Sequence, residues 1–281
     1  MAKKKVSEQE YINSPLNNPM PNYAVYRMGT GESLIVRLLI FAAGGLVGLL
    51  FYGDLFMQDG VRTLATHISN AVVVVVVGLL AVKFMLPVYT KSRADKRRAV
   101  LSRQFRDMLE SLATSFSSGS NVQRAFESAE ADLRLQYGPE DLIVREIREI
   151  NQGIAQNVNV DVMLRNFGKR SGNEDIVSFA DVFTICYRKG GNMNTVIGRV
   201  HTVISDKMAV KEEIRTKLTS NKLQHTVMSL MPIGVVAMLK FSNDTFSGNF
   251  KTPIGLVAST VAIAIFVGAY LWGNKIVDVK E

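Results

Sequence analysis

The chain has 281 residues and a formal net charge of +8, and 47% of its residues are hydrophobic. Its single cysteine, Cys186, excludes a disulfide framework and any metal site built from several cysteines. The apolar residues are concentrated in two blocks near the ends and the charged residues in the middle, which indicates a soluble domain held between membrane segments. The basic excess is compatible with nucleic-acid binding or with cytoplasmic segments beside a membrane.

The first 33 residues combine a basic cluster at positions 3 to 5 with the proline-rich stretch "NSPLNNPMPNY" at 13–23. Three of the chain's seven prolines fall in that stretch, and prolines at this density favour turns and extended backbone. We therefore expect residues 1–33 to form an extended cytoplasmic tail. A cleaved signal peptide is the alternative, but the first apolar run begins about thirty residues into the chain, too late for the short basic segment of a signal.

Four apolar stretches satisfy the requirement of about 20 largely apolar residues for a helix that crosses a bilayer. They are residues 34–52, 68–89, 225–241 and 253–273. The second contains six consecutive valines, but its apolar run continues far beyond the ~5–6 residues of a usual strand, so we interpret it as a helix in lipid. Pro232 lies in the third stretch and is expected to kink it. The domains predicted are a tail (1–33), two membrane helices (34–90), a central domain (91–223) and two further membrane helices with a short C-terminus (224–281).

Charged and small residues inside these stretches need separate explanations. Arg37, Lys83 and Lys240 fall within a few residues of a stretch end, where long side chains reach back to the headgroups. That explanation is favoured over a functional intramembrane charge. Gly44 and Gly48 form a GxxxG spacing, which allows another helix to approach closely.

The distribution of charge predicts the orientation in the membrane. Residues 91–222 contain 22 basic and 17 acidic residues, and "KSRADKRR" at 91–98 directly follows the second apolar stretch. Because basic residues accumulate on the cytoplasmic side, we expect both termini and the central domain to be cytoplasmic, with two short external loops. The basic residues alternate with acidic ones and lack interleaved aromatic residues, so contact with anionic lipids is favoured and nucleic acid is not an expected partner.

Apolar residues recur at spacings of three and four throughout the central domain, which predicts about six amphipathic helices. No segment alternates in the manner of a strand, so the expected class is all-α, a polytopic membrane protein with four transmembrane helices and one cytoplasmic bundle. The predicted core positions are Leu101, Phe105, Met108, Leu112, Phe116, Val122, Ala125, Phe126, Ala129, Leu133, Ile143, Ile147, Ile150, Met163, Leu164, Phe167, Ile176, Phe179, Ala180, Phe183, Tyr187, Val196, Val200, Val203, Ile204 and Ile214.

One turn pattern occurs three times, in "SGSNVQRAF" (118–126), "AQNVNVDVML" (155–164) and "KGGNMNTVI" (189–197). Each runs from a helix end through Gly or Asn into a new amphipathic helix. Gly119, Gly190 and Gly191 are therefore interpreted as structural turns, since glycine adopts the left-handed helix cap without a steric cost. The glycines follow a helix and no Lys-Ser pair follows them, so a phosphate loop is not favoured here or at "GKRSG" (168–172).

The residues give little indication of catalysis. The three histidines lie apart, at 67, 201 and 225, and no cluster has metal-ligand spacing. Glu174 and Asp175 are adjacent carboxylates, but acidic residues at the start of a helix are favoured by the helix dipole. Cys186 lies near an apolar stripe and is expected to behave as a small hydrophobe. We therefore expect a protein that is not an enzyme and has no metal or cofactor.

In this order and between these apolar stretches, three segments of the chain resemble the type II secretion system F domain. They are "FRDMLESLATSFSSGSNVQRAF", "IREINQGIAQNVNVDVMLRNFGKRSGNEDIVSFADVF" and "YRKGGNMNTVIGRV" with "MSLMPIGVV". The resemblance runs from about residue 103 to 239. One domain copy between two pairs of apolar stretches is similar to the Tad pilus platform proteins of the TadB type.

This resemblance implies an inner-membrane platform that couples a cytoplasmic secretion or pilus ATPase to pilin extraction and assembly. The implied partners are that ATPase, pilin subunits, membrane lipids, and a second platform protein or further copies of this chain. The candidate ATPase or partner contacts are Glu174, Asp175, Arg188 and Lys189. In this family the glycine pair joins helices and binds no nucleotide.

A small transporter or channel subunit is the alternative function, because such proteins also use four transmembrane helices. They usually carry polar groups near the midplane of the membrane and show inverted repeats. The interiors of these apolar stretches are almost free of polar groups, and the two pairs show no evident similarity.

Overall fold

The computed structural model describes residues 10–53, 64–242, 248–249 and 252–277. The all-α class is confirmed, because the two strands have only three residues each. The main elements in chain order are β1 (Tyr11–Asn13), β2 (Pro19–Pro21), α1 (Thr30–Tyr52), α2 (Leu64–Ser117), α3 (Val122–Tyr137), α4 (Leu142–Ala155), α5 (Val160–Ser171), α6 (Glu174–Lys189), α7 (Met193–Ser242) and α8 (Pro253–Val277).

The chain divides into two compact units. The first, here called the helical domain, comprises Met1–Arg27 and Thr90–Ala209, and the second, here called the apolar unit, comprises Met28–Tyr89 and Val210–Glu281. The chain therefore passes from one unit to the other three times. Two of these passages lie within the unbroken helices α2 and α7.

Parts of six helices enclose the core of the helical domain. Most of the buried residues in this core were predicted from the periodicity of apolar residues. Leu101, Phe105 and Met108 follow the spacing of a helix face and are fully buried.

The core prediction was wrong for Tyr187 near the end of α6, which is 41% exposed. It was also wrong for part of α7, where Val203 and Ile214 are 61% and 46% exposed and Ile197 is buried instead. A one-residue error in helix phase moves a side chain by about 100°, which accounts for this exchange.

Phenylalanine rings form the centre of this core. Phe179 lies edge-on to Phe105, with ring centroids 5.4 Å apart, and 5.8 Å from Phe183. Phe183 in turn meets Phe126 at 6.0 Å in a nearly perpendicular arrangement. These edge-to-face contacts connect α2, α3 and α6 and favour specific ring orientations, in addition to the burial of apolar area.

The N-terminal segment differs from the extended tail expected from the sequence. Residues 10–27, here called the strap, pack on the helical domain. Strands β1 and β2 pair in antiparallel register, with Ile12 opposite Met20, and Asn17 adopts a left-handed backbone with φ of 64° between them. Met20 and Tyr23 are buried. The proline content indicated extended backbone but not that this backbone would pair and dock.

In the apolar unit, the glycines of α1 lie against α2. A Cβ added at Gly44 would lie 2.5 Å from the Cβ of Ala81, and one at Gly48 would lie 3.0 Å from the Cβ of Val77. Conversely, a Cβ at Gly78 would lie 2.6 Å from the ring of Phe41. The GxxxG spacing thus serves a close contact between two helices of the same chain.

Among the described residues, two helices are long and apolar enough to cross a membrane, α1 and α2. Only 11% and 6% of the residues in their most apolar windows are buried, as expected for helices that face lipid rather than a soluble core. The third and fourth predicted spans correspond to shorter apolar stretches, Thr226–Ser242 in α7 and Ile254–Tyr270 in α8. The predicted external loops lie largely outside the described residues.

Polar contacts within the apolar unit involve side chains near helix ends. The ammonium of Lys240 donates to the carbonyl of Leu50 at 2.7 Å, and the Tyr52 and Thr260 hydroxyls are 3.0 Å apart. The charge of Lys240 is therefore used to cap backbone near the end of α1. Pro232 lies inside α7.

Candidate functional site

The corner between α6 and α7 contains the glycine pair singled out in the sequence. Gly190 ends α6 in the left-handed region, with φ of 74° and ψ of 33°. The N–H of Gly191 donates to the carbonyl of Cys186 at 2.9 Å, and the side chain of Asn192 accepts from the N–H of Thr195 at 3.1 Å. These two hydrogen bonds satisfy backbone groups of the corner, as in a capped helix. The Gly191 N–H already donates to Cys186.

The same geometry recurs at the other two turns of the repeated pattern. Gly119 has φ of 83°, and the N–H of Ser120 donates to the carbonyl of Ser115 at 3.1 Å. Asn157 has φ of 60°, and the N–H of Val158 donates to the carbonyl of Gly153 at 2.8 Å. Three left-handed residues thus close the α2–α3, α4–α5 and α6–α7 hairpins with the same type of hydrogen bond.

The four candidate contact residues do not come together. Glu174 and Asp175 begin α6 and Arg188 and Lys189 end it, about 20 Å apart at the rise of an α-helix. Asp175 accepts from Lys207 at 2.6 Å, so it joins α6 to α7. Glu174 and Lys189 are exposed at opposite ends of the helix.

Arg188 is part of an ion-pair cluster around a buried carboxylate. Its Nε and Nη2 donate to Oδ2 of Asp161 at 2.9 and 2.7 Å. Arg165 donates to the same oxygen at 3.0 Å, and Asp161 is 1% exposed. Arg188 therefore ties α6 to the start of α5. A partner could contact only the solvent-facing part of its side chain.

A second buried charge cluster was not predicted from the sequence. Arg170 and Glu146 are 2% and 1% exposed and form a bidentate pair, with N–O distances of 2.7 and 2.6 Å. Arg170 also donates to the carbonyl of Pro21 at 3.2 Å and to Asn166 at 2.7 Å. The hydroxyl of Tyr23 donates to Glu146 at 2.8 Å. Every charged atom of this pair is thus hydrogen-bonded, as a buried pair requires.

The strap is held by this cluster and by a second carboxylate of α4. Glu149 accepts from the Ser14 hydroxyl at 2.5 Å and from the Asn18 amide at 3.1 Å. The N–H of Tyr23 donates to the carbonyl of Arg170 at 2.8 Å. The only sequence signal was that Glu146 and Glu149 interrupt the apolar stripe of α4. Their hydrogen-bond partners in the strap lie more than a hundred residues away in the chain, which periodicity cannot reveal.

Two tyrosines carry perturbed pKa values. Burial, followed by the charge and hydrogen bond of Glu146, raises the pKa of Tyr23 well above its usual value. Burial and the hydrogen bond to Asp107 raise the pKa of Tyr137 to about 12. Both phenols donate to a carboxylate in the folded state, so they act as neutral hydrogen-bond donors. Among the described residues, no group of three or more His, Cys, Asp or Glu side chains is arranged to hold a metal.

A protein-family model matches the central part of the chain. Residues 108–240 match the family model described as "Type II secretion system (T2SS), protein F". The domain is found in inner-membrane platform proteins of type II secretion and type IV pilus systems, and its family members are non-enzymatic. The matched region includes all three helix corners. Searches of curated proteins and of solved structures gave no match.

Proposed function

We propose that this chain is an inner-membrane platform protein of a Tad-like pilus or type II secretion apparatus, carrying a single copy of the matched domain. The observation that carries the proposal is the family match over 108–240, which begins in the helical domain and ends in the apolar part of α7. The proposed topology has four transmembrane helices, with the helical domain and both termini in the cytoplasm. The charge excess of residues 91–222 supports that orientation.

The physical properties of the helical domain support a role in transmitting position or force. Its core is closed by aromatic contacts, its corners have satisfied backbone groups, and its described buried charged groups are ion-paired or hydrogen-bonded. The unbroken helices α2 and α7 run from the helical domain into the apolar unit. A displacement at one end of such a helix is carried to the other end without an intervening loop. The energy would come from a cytoplasmic ATPase acting on this body.

The proposed partners are that ATPase, pilin subunits, and a second platform protein or further copies of this chain. Glu174 and Lys189 stay as candidate contacts because both are exposed. Asp175 and Arg188 are secondary candidates, since each also serves an ion pair within the domain. Because these residues lie at opposite ends of α6, an ATPase that contacts all of them would have to cover the whole helix.

Removal of the gene tests this function. We expect the deletion strain to lose surface pili or secreted substrate, and to regain them when the full chain is supplied in trans. Cross-linking from the exposed Glu174 and Lys189 positions should capture the ATPase. Normal pilus assembly and secretion in the deletion strain, together with loss of transport of a small solute, would instead support the transporter alternative.

A further inference from the structure

A basic pocket lies in the helical domain, between the strap and the part of α2 that belongs to this domain, which starts at Thr90. Its volume is about 310 Å³, and its lining includes Arg93, Lys96 and Arg97 of α2, Tyr26 of the strap and Asp141 before α4. This volume lies at the lower end of the range for small-ligand sites. It accommodates a headgroup-sized molecule but not an acyl chain in addition.

The three cations share one face of the helix, because positions i, i+3 and i+4 are neighbours on a helix surface. The strap orients two of them. The guanidinium of Arg97 lies 4.9 Å from the ring centroid of Tyr23, and that of Arg93 lies 5.9 Å from the ring centroid of Tyr26. Tyr23 is itself fixed by its hydrogen bond to Glu146. The pocket is therefore built by tertiary contacts and is more than a run of basic residues.

The charges that line the pocket favour an anion. Three cations stand against one carboxylate, Asp141, which accepts a hydrogen bond from the side chain of Gln104 at 3.1 Å. The nearby Asp95 pairs with Arg98, and neither residue lines the pocket. Guanidinium groups bind phosphate oxygens with matched geometry, so a phosphate is the anion that this lining fits best.

The position of the cations along α2 indicates the source of that phosphate. Arg93 and Arg97 follow Tyr89, where the apolar stretch ends, by four and eight residues, or about 6 and 12 Å along the helix axis. The polar layer of a bilayer extends about 5–8 Å beyond the hydrocarbon on each side, so Arg93 lies within this layer and Arg97 lies about one helical turn beyond Arg93, on the side away from the hydrocarbon. We propose that this pocket binds the phosphodiester headgroup of an anionic glycerophospholipid. This goes beyond the platform role and does not depend on it.

The test is lipid binding by the purified full-length protein in detergent, with phosphatidylglycerol as the probe and phosphatidylcholine as the neutral reference. Retained lipid is counted by native mass spectrometry. The pocket variant is Arg93→Gln/Arg97→Gln, and the matched control is Lys91→Gln/Arg98→Gln, which removes the same charge from the same cluster outside the pocket. Lys96→Gln is a third variant that leaves both ring contacts intact. Thermal unfolding checks that all variants are folded.

We expect phosphatidylglycerol affinity to fall roughly fivefold for each pocket cation removed, with little change in the control. Equal losses in the pocket and control variants would mean diffuse attraction to the basic cluster and would overturn the proposal. Undiminished phosphatidylglycerol binding in both the pocket and the control variants would also overturn the proposal. Inorganic phosphate and glycerol phosphate are added as competitors, and displacement of lipid by either at micromolar concentration would assign the pocket to a soluble anion instead.

Discussion

At the corner between α6 and α7, two adjacent glycines are constrained by different features of the structure. Gly190 has open space around its missing Cβ but a positive φ of 74°, a backbone that costs L-residues roughly 1–2 kcal/mol. Gly191 has an ordinary backbone, but a Cβ there would lie 2.7 Å from the Sγ of Cys186. Substitution is thus expected to cause backbone strain at the first position and a steric clash at the second.

These two causes separate in a double-mutant cycle. Gly190→Ala and Gly191→Ala should each lower the free energy of unfolding by about 1 kcal/mol or more. Cys186→Ala removes the clashing sulfur, so it should restore much of the loss in Gly191→Ala and none of the loss in Gly190→Ala. Denaturant unfolding of the purified chain measures this. Gly198→Ala is the control, because its Cβ meets nothing within 4 Å, and it should be neutral or stabilising.

The raised tyrosine pKa values predict a loss of stability at alkaline pH. In the unfolded chain both phenols ionise near pH 10, whereas in the folded protein Tyr137 retains its proton to about pH 12 and Tyr23 beyond its usual range. The folded state therefore binds more protons above about pH 10, and the free energy of unfolding falls as pH rises from there. Tyr23→Phe/Tyr137→Phe should flatten this fall in denaturant titrations. An equally steep fall in the double variant would exclude the two phenols as its cause.

At the scale of secondary-structure elements, the features set by interactions between residues close in sequence could be predicted, and those set by contacts between distant residues could not. The helices around Phe105, Phe126 and Phe179 follow from apolar spacing, and the corners follow from Gly or Asn beside a capping residue. The strap does not, because its hydrogen bonds join Ser14 to Glu149 and Tyr23 to Glu146 across more than a hundred residues. A buried Arg–Glu pair has no periodic signature, so the candidate site was only partly visible.

The hydrogen bonds from the strap to Glu149 are predicted to hold it against α4. Ser14→Ala/Asn18→Ala removes them and leaves a carboxylate without its donors, which costs roughly 1–3 kcal/mol. We expect faster hydrogen exchange in residues 10–27, with little change in α3 and α6, because the strap is one local unit of structure. Exchange detected by mass spectrometry measures both. Gln123→Ala is the control, since its side chain donates to the exposed Glu127 within α3, and exchange in the strap should be unaffected.

On the scale of the whole molecule, four apolar stretches were predicted, and among the described residues two helices satisfy the full length criterion. Each of the remaining stretches has 17 residues, about 25 Å of helix against about 30 Å of hydrocarbon. Both are embedded in longer helices, α7 and α8, so in the proposed topology helical backbone would continue beyond at least one end of each apolar stretch. Tilting would shorten the thickness that such a helix spans, so it cannot reduce this mismatch between helix length and hydrocarbon thickness. Local thinning of the bilayer can accommodate a mismatch of this size.

Accessibility of introduced cysteines tests the proposed topology. In a Cys186→Ala background, cysteines at positions 59 and 247 should react with an impermeant thiol reagent added to intact cells. Cysteines at Ser7 and Ser178 should react only after the membrane is opened. Ser178 is chosen because it is exposed on α6, whereas the nearby Ser171 is fully buried. Labelling of position 178 in intact cells would place the helical domain outside and reverse the model.

The geometry of the α6–α7 corner is expected to affect pilus assembly. Since α7 begins at Met193 and continues unbroken to Ser242, a change in the corner alters the direction in which this helix leaves the helical domain. Gly191→Val places a larger side chain against Cys186 without entering the phenylalanine core. We expect surface pilin per molecule of membrane-inserted protein to fall in this variant. In Gly198→Val, the same substitution at an open position of α7, that ratio should stay normal even if abundance falls. An unchanged ratio in Gly191→Val would mean that the glycine pair serves folding alone, and transmission through α7 would then have to be abandoned as the coupling mechanism.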